Sequence, residues 1–250
     1  MIVNDETTWP IKLVTCLEKY YDTLLAWEQR HVGETPHVDL SAPVYDEAIH
    51  AILKALHAES LVGFHCTRLT EAEIESILEI GLTPQNGEKL GKRIDALATT
   101  GQLSTELAHR LKAENQADDR NRAEMIWFCF YPPHKAGQRG LERFFRYWGG
   151  EALYNSHEDD PETGPVLARI GTPCLIEADV PVGTDKHSWL PVKLARIFLA
   201  NRGFQTRESV DHESYSTIPI HPANIRRVIC HPGTEFMKLT GAAKWKPSLS

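Results

Sequence analysis

With 250 residues, 42% of them hydrophobic, the chain is long enough to bury a full core, and one large domain with an N-terminal helical cap accounts for it better than two independent domains. A net charge of -7 and a pI near 5.9 exclude broad, sequence-independent binding of nucleic acid through phosphates and leave only a local basic groove open. No apolar run approaches the roughly 20 residues that a membrane span requires, and Met1 to Glu6 has neither the basic n-region nor the apolar h-region of a secretion signal, so a cytoplasmic protein without a membrane partner is expected.

Residues 11–30 read as an amphipathic helix with Leu13, Leu17, Tyr20, Tyr21, Leu24 and Leu25 toward the core. A loop containing Gly and Pro follows, then a second helix over 44–57 that turns Ala48, Ile49, Ile52, Leu53 and Leu56 inward. A strand over 61–66 comes next. It belongs to the chemically richest stretch, Gly63-Phe64-His65-Cys66-Thr67-Arg68. Strand side chains alternate faces, so His65 and Thr67 share one side while Phe64 and Cys66 take the other. The helix that follows carries complete end signals. Thr70 and Glu73 make a T-x-x-E capping box, Ile74, Ile77 and Leu78 form an apolar stripe, Gly81-Leu82 supplies the stop, and Pro84 prevents continuation.

From 88 to 119 the sequence turns polar and helical. Leu90, Ile94 and Leu97 mark a first segment and Ser104 opens a second that leads to Leu107 and Leu111, a helical hairpin inserted between strands. A DNA-reading helix-turn-helix around Thr99-Thr100-Gly101-Gln102 would need a basic stripe, whereas the segment ends in the acidic run 114–119. Residues 125–131 are an aromatic strand bounded by Pro132-Pro133, and their unbroken hydrophobicity predicts burial on both faces. A helix from Gly140 to Tyr154 contains Phe144, Phe145, Tyr147 and Trp148. An acidic loop over 156–162 is expected to be exposed.

The C-terminal part reads as a strand over 174–180 ended by Pro181, a helix over 188–201 stopped by Gly203, a strand over 214–220, a turn at His221-Pro222, and a strand over 225–230. Helices, a strand, helices, then mostly strands with helical interruptions define an α+β class. No repeat or low-complexity tract appears.

Five cysteines, Cys16, Cys66, Cys129, Cys174 and Cys230, lie far apart with no C-x-x-C pair, which suits a reducing compartment. Among twelve histidines, His212, His221 and His231 are too widely spaced for the close pairs that mark zinc sites, and no metal is expected. Cys66 faces away from its neighbour His65, against the requirement of a Cys/His hydrolase. There is no Walker A or G-x-G-x-x-G sequence, so a nucleotide would have to bind by another route.

Such a route is implied by a resemblance. Phe64-His65-Cys66-Thr67, the helix closing in Ile77-Leu78-Glu79-Ile80-Gly81-Leu82-Thr83-Pro84, and Glu213 opening a strand that leads through a turn to Ile225-Arg226-Arg227-Val228-Ile229 resemble the ADP-ribosyltransferase-like fold. The resemblance is to its histidine-bearing branch, which includes the poly-ADP-ribose polymerases, the DNA-modifying DarT toxins and the RNA 2'-phosphotransferases. It covers residues 60–84, 124–131 and 173–231. In that branch the first core strand carries His-x-Thr or His-x-Ser and a helix ending in Gly-Leu follows.

The resemblance implies a split antiparallel sheet with an N-terminal helical cap over 1–58 and a catalytic domain over 59–250 that carries the insertion at 88–120. It implies NAD as substrate, with His65 as orienting donor, Thr67 as its helper, and Glu213 bonded to a hydroxyl of the nicotinamide ribose, where it stabilises positive charge as the glycosidic bond opens. An oxocarbenium-like centre needs a carboxylate, a held ribose and an aromatic face for the departing ring. The family's Gly-Ile-Tyr-Phe strand has its local counterpart in Met125-Ile126-Trp127-Phe128, which puts Trp127 where a tyrosine is expected and makes Tyr131, Tyr147 and Tyr154 the alternative stackers.

Arg68 would pair with the NAD pyrophosphate or cap a surface carboxylate. The aromatic segment Arg146 to Tyr154 would wall the pocket or, equally, be a packed helix with a glycine break, and Glu151 is the alternative carboxylate. The implied function is ADP-ribosyl transfer from NAD to a protein or nucleic acid, or NAD hydrolysis with water as acceptor. The alternatives are a non-catalytic interaction module on the same scaffold and an RNA 2'-phosphotransferase, for which Arg226 and Arg227, on alternating faces of one strand, do not make a phosphate pocket. Taken singly, His65 reads as a hydrogen-bonded core histidine and Glu213 as a solvated turn carboxylate.

Overall fold

The computed structural model describes residues 1–36, 41–182 and 189–249. Residues 37–40 of the expected early loop, and Ser188 at the expected start of a helix, lie outside them. The described residues are α+β, with eleven α-helices and one antiparallel sheet of five strands. The strands are β1 (Ser60–Leu69), β2 (Ile126–Cys129), β3 (Thr172–Pro181), β4 (Glu213–Ser216) and β5 (Ile225–Cys230), and they run in the order β4-β2-β1-β3-β5. Where the resemblance implies a split sheet, these strands join in one, because the long central β1 pairs with β2 on one side and β3 on the other. The two edge strands are short, a common protection against edge-to-edge association.

The chain divides into two compact units, and β1, β2, β3 and β4 each pass from one to the other. Unit one holds residues 1–62, 129–131 and 180–214. The N-terminal helices α1 (Ile11–Lys19), α2 (Tyr21–Val32) and α3 (Ala42–Leu56) are joined there by α10 (Leu190–Ala200), which packs on α2 and α3. Leu13, Leu17, Leu24, Ala48, Ile52, Leu56, Leu194 and Phe198 are buried. The single helix expected over 11–30 is two, broken at Tyr20. The break sends adjacent tyrosines to different partners: Tyr20 donates its hydroxyl to Glu47 on α3 at 3.1 Å, and the Tyr21 ring meets Phe198 on α10 edge-on. Leu53, expected inward, is exposed, and Ile49 is half-buried, so α3 presents a narrower face than its sequence suggests.

Unit two holds residues 63–128, 132–179 and 215–250. Helix α4 (Glu71–Ile80) has the expected capping box in full: Thr70 Oγ1 accepts from the Glu73 N–H at 3.2 Å, and Glu73 Oε2 accepts from the Thr70 N–H at 2.8 Å. Its stripe is narrower than expected, since Ile77 is buried and Ile74 partly so while Leu78, about 100° further round the helix, is exposed. Helices α5 (Gly87–Thr99) and α6 (Thr105–Ala113) form the expected hairpin, packing Leu90, Ile94, Leu97 and Leu111 around Trp148 and Leu153.

Four expectations change here. The helix over 140–154 is α7 (Gly137–Arg146) and α8 (Glu151–His157), because Gly149 and Gly150 adopt positive φ and the chain between the helices delivers Trp148 to the core. The acidic loop is not uniformly exposed. His157 is fully buried between Thr163 Oγ1 (3.0 Å) and the Glu114 carbonyl (2.7 Å), and Asp160 accepts from the N–H groups of Glu162 and Thr163 at the start of α9 (Thr163–Leu167). Strand β2 alternates instead of burying both faces: Ile126 and Phe128 are inside and Trp127 is 44% exposed. Strand β4 stops at Ser216, whose hydroxyl folds back onto the N–H and carbonyl of Ile218, and Ile220 re-enters only as a bridge to Leu82. A terminal helix, α11 (Thr234–Thr240), was not anticipated.

Candidate active site

The second half of β1 is anchored by its inner face. Phe64 and Cys66 pack against a cluster that includes Phe145, Leu175 and Phe236, and this fixes the opposite phase for His65 and Thr67, both half-buried. The His65 imidazole Nδ1 lies 2.9 Å from the main-chain oxygen of Trp127 on the neighbouring strand. A carbonyl oxygen only accepts, so Nδ1 carries the hydrogen and, in the neutral ring, Nε2 presents a lone pair. The orienting donor expected at this position is therefore an acceptor. Burial pushes the His65 pKa down, the Trp127 carbonyl opposes that shift, and the nearby Arg93 charge adds to it, so the ring is neutral at pH 7.

Trp127 points outward, its indole N–H donating to the Asn121 carbonyl at 3.2 Å and its ring 4.8 Å from that of Tyr215 at an interplanar angle of 48°. Tyr215 was missed in the sequence. Its signal is the period of two, since it stands two residues after Glu213 and the pair shares the open side of β4 while Ser214 and Ser216 are buried. His65, Thr67, Trp127 and Tyr215 all belong to unit two.

A polar hub ties three segments of unit two together. Glu73 accepts from Arg93 Nε (2.7 Å), the Trp148 indole N–H (2.9 Å) and its own cap residue Thr70. Arg93 lies 4.6 Å from the Trp148 ring centroid and also donates to Gln85, which bridges to Met125 just before β2. Burial would raise the Glu73 pKa, but the Arg93 charge and the three donors overcome it and hold the carboxyl below its ordinary value.

Glu213 and Tyr131 belong to unit one. Glu213 is exposed, and Oε1 accepts a hydrogen bond from the Tyr131 hydroxyl. Tyr131, expected among the stackers, is thus a buried donor, its phenol pKa driven up by burial and by the Glu213 bond.

The remaining candidates sit elsewhere in unit two. Arg68 is 5% exposed and donates from Nε to the Ile170 carbonyl (2.7 Å) and from Nη1 to the Phe145 carbonyl (3.0 Å), so main-chain oxygens take the place of the surface carboxylate envisaged for it. Trp148 and Tyr154 are core residues, which settles the aromatic segment as packing at those two positions. Tyr147, half-buried, follows α7 with its ring 6.4 Å from that of Tyr154, and Glu151 opens α8, 3.6 Å from Arg122. Arg226 pairs with Asp179, and Arg227 with Glu177 and Glu235, which occupies the two guanidinium groups considered for a second phosphate.

Among the described residues no group of three or more His, Cys, Asp or Glu side chains is placed to hold a metal ion, and no helix is long and apolar enough to cross a membrane. No family model, curated protein or solved structure matches the chain.

Proposed function

We propose that the chain is an ADP-ribosyltransferase-like enzyme that cleaves NAD and passes ADP-ribose to a macromolecule or to water. The observation that carries this reading is the pairing of a neutral His65, with its Nε2 lone pair available to a hydroxyl, and an outward aromatic pair, Trp127 and Tyr215. The strand order supports it as well. The strands that open with Glu213, carry Trp127 and carry His65 are consecutive, β4-β2-β1.

In this reading His65 Nε2 accepts a hydrogen bond from a ribose hydroxyl and the Thr67 hydroxyl, two residues on and on the same side, helps hold that sugar. Trp127 and Tyr215 give the nicotinamide ring a face to rest on. Glu213, whose carboxylate accepts from the Tyr131 hydroxyl, carries the role that the resemblance implies for it, opposing the positive charge that develops at the anomeric carbon. The carbon–nitrogen bond breaks, nicotinamide leaves with the electron pair, and the acceptor adds to the anomeric carbon as its proton passes to solvent.

Incubating the protein with NAD and measuring released nicotinamide tests the reading, and labelled NAD followed into protein, DNA or RNA sorts the acceptors. Release that is lost in His65→Ala and Glu213→Gln supports it. Saturable NAD binding without release points to the non-catalytic module, and neither binding nor release overturns the NAD assignment.

A further inference from the structure

We propose that Cys174 and Cys230 form a reversible disulfide that fastens the edge strand β5 to β3 when the protein meets a small disulfide oxidant of the glutathione type. The two residues are register partners in the antiparallel β3–β5 pair, and their sulfurs lie 3.2 Å apart. The neighbouring pair fixes the geometry. The His231 N–H donates to the Pro173 carbonyl at 2.9 Å, so positions 173 and 231 are the hydrogen-bonded pair and, by alternation, Cys174 and Cys230 are the non-hydrogen-bonded one. Such pairs bring their Cα atoms to about 4.5 Å, inside the window of about 4.4–6.8 Å that a disulfide spans. The sulfurs need to close by only about 1 Å to bond.

Access decides the order of events. Cys174 is fully buried and Cys230 only partly, so the oxidant meets Cys230 first. The Cys230 thiolate attacks the small disulfide, forming a mixed disulfide and releasing one thiol. Cys174 then gives up its proton and its sulfur attacks that of Cys230, expelling the second thiol. The balance is two protein thiols and one small disulfide giving one protein disulfide and two small thiols, with two electrons passing to the oxidant. In the reduced pair, burial and the neighbouring thiol push the Cys174 pKa up, while the charge of Arg68 works in the opposite direction.

The test uses the unsubstituted chain. Reduced protein is equilibrated with graded ratios of glutathione and its disulfide, the remaining thiols are alkylated, and intact mass and peptide maps are read. The expected result is the joint loss of two alkylatable thiols, a cross-linked peptide joining 174 to 230, and full reversal by dithiothreitol. Substituting Cys16, Cys66 and Cys129 together by Ser leaves that link in place, and Cys230→Ser removes it entirely. The proposal is overturned if Cys230 stops at the glutathione adduct, if it links to a different cysteine, or if neither thiol reacts at any ratio.

Discussion

The imidazole of His65 gives its Nδ1 hydrogen to the main-chain oxygen of Trp127 at 2.9 Å, and this single bond turns a core-strand histidine into an oriented acceptor. Nitrogen NMR should show a neutral ring protonated on Nδ1, titrating below the unperturbed value of about 6.5. Removing the Arg93 charge with Arg93→Ala should move the midpoint upward, since that charge now opposes protonation. Because the folded pKa lies below the unfolded one, the contribution of His65 to stability is fully present above pH ~6.5 and is lost as pH falls through the folded value.

His65→Ala should reduce nicotinamide release by at least about a hundredfold, the scale on which loss of substrate orientation is felt. Circular dichroism that stays native in the variant would separate this from unfolding. An unchanged rate would remove His65 from the reaction.

Glu213→Gln should lower kcat by about 10²–10³, the range for loss of a charge-stabilising group. Tyr131→Phe should cost less, about tenfold or ~1.4 kcal/mol, because it frees the carboxylate without removing it. Steady-state kinetics with NAD would show the loss in kcat with KM little changed.

Glu73 holds the cap of α4, Arg93 and Trp148 together, and Glu73→Ala should destabilise the fold by about 3 kcal/mol by stranding a paired, partly buried guanidinium. The folded pKa of Glu73 is depressed, so its contribution is present above the unfolded value of about 4.3 and fades as pH falls through the folded one. Denaturant midpoints of wild type and Glu73→Gln should therefore converge in acid.

Gly81 ends α4 at φ +88, and a methyl group built there would stand 2.1 Å from the Ile220 carbonyl oxygen, which accepts from the Leu82 N–H. Gly81→Ala should cost about 2–4 kcal/mol, combining backbone strain with displacement of a main-chain bridge. Thermal unfolding would record it as a lowered Tm.

Much of the fold was legible in the residues because its signals are local. The capping box of Thr70 and Glu73, the strand phase that separates His65 from Cys66, and the helical hairpin with Leu90, Ile94 and Leu97 inward each depend on neighbours within a turn or a strand. The failures share a cause. Tyr20, Tyr147 to Gly150 and Ser216 lie in segments whose pattern permits continuation, and the chain breaks there to satisfy partners distant in sequence, such as Phe198 for Tyr21 and Glu73 for Trp148.

The amino-acid sequence by itself determined the α+β class, the succession of the five strands and the common side of His65 and Thr67, since alternation and capping act over a few residues. Only the tertiary structure decided which nitrogen of His65 remains an acceptor, that Tyr215 stands beside Trp127, that Arg68 spends its donors on carbonyls, and that Cys174 faces Cys230. Those relations depend on strand order and register, and order and register are set by how the whole sheet buries its apolar faces, a sum over residues that no single window of sequence contains.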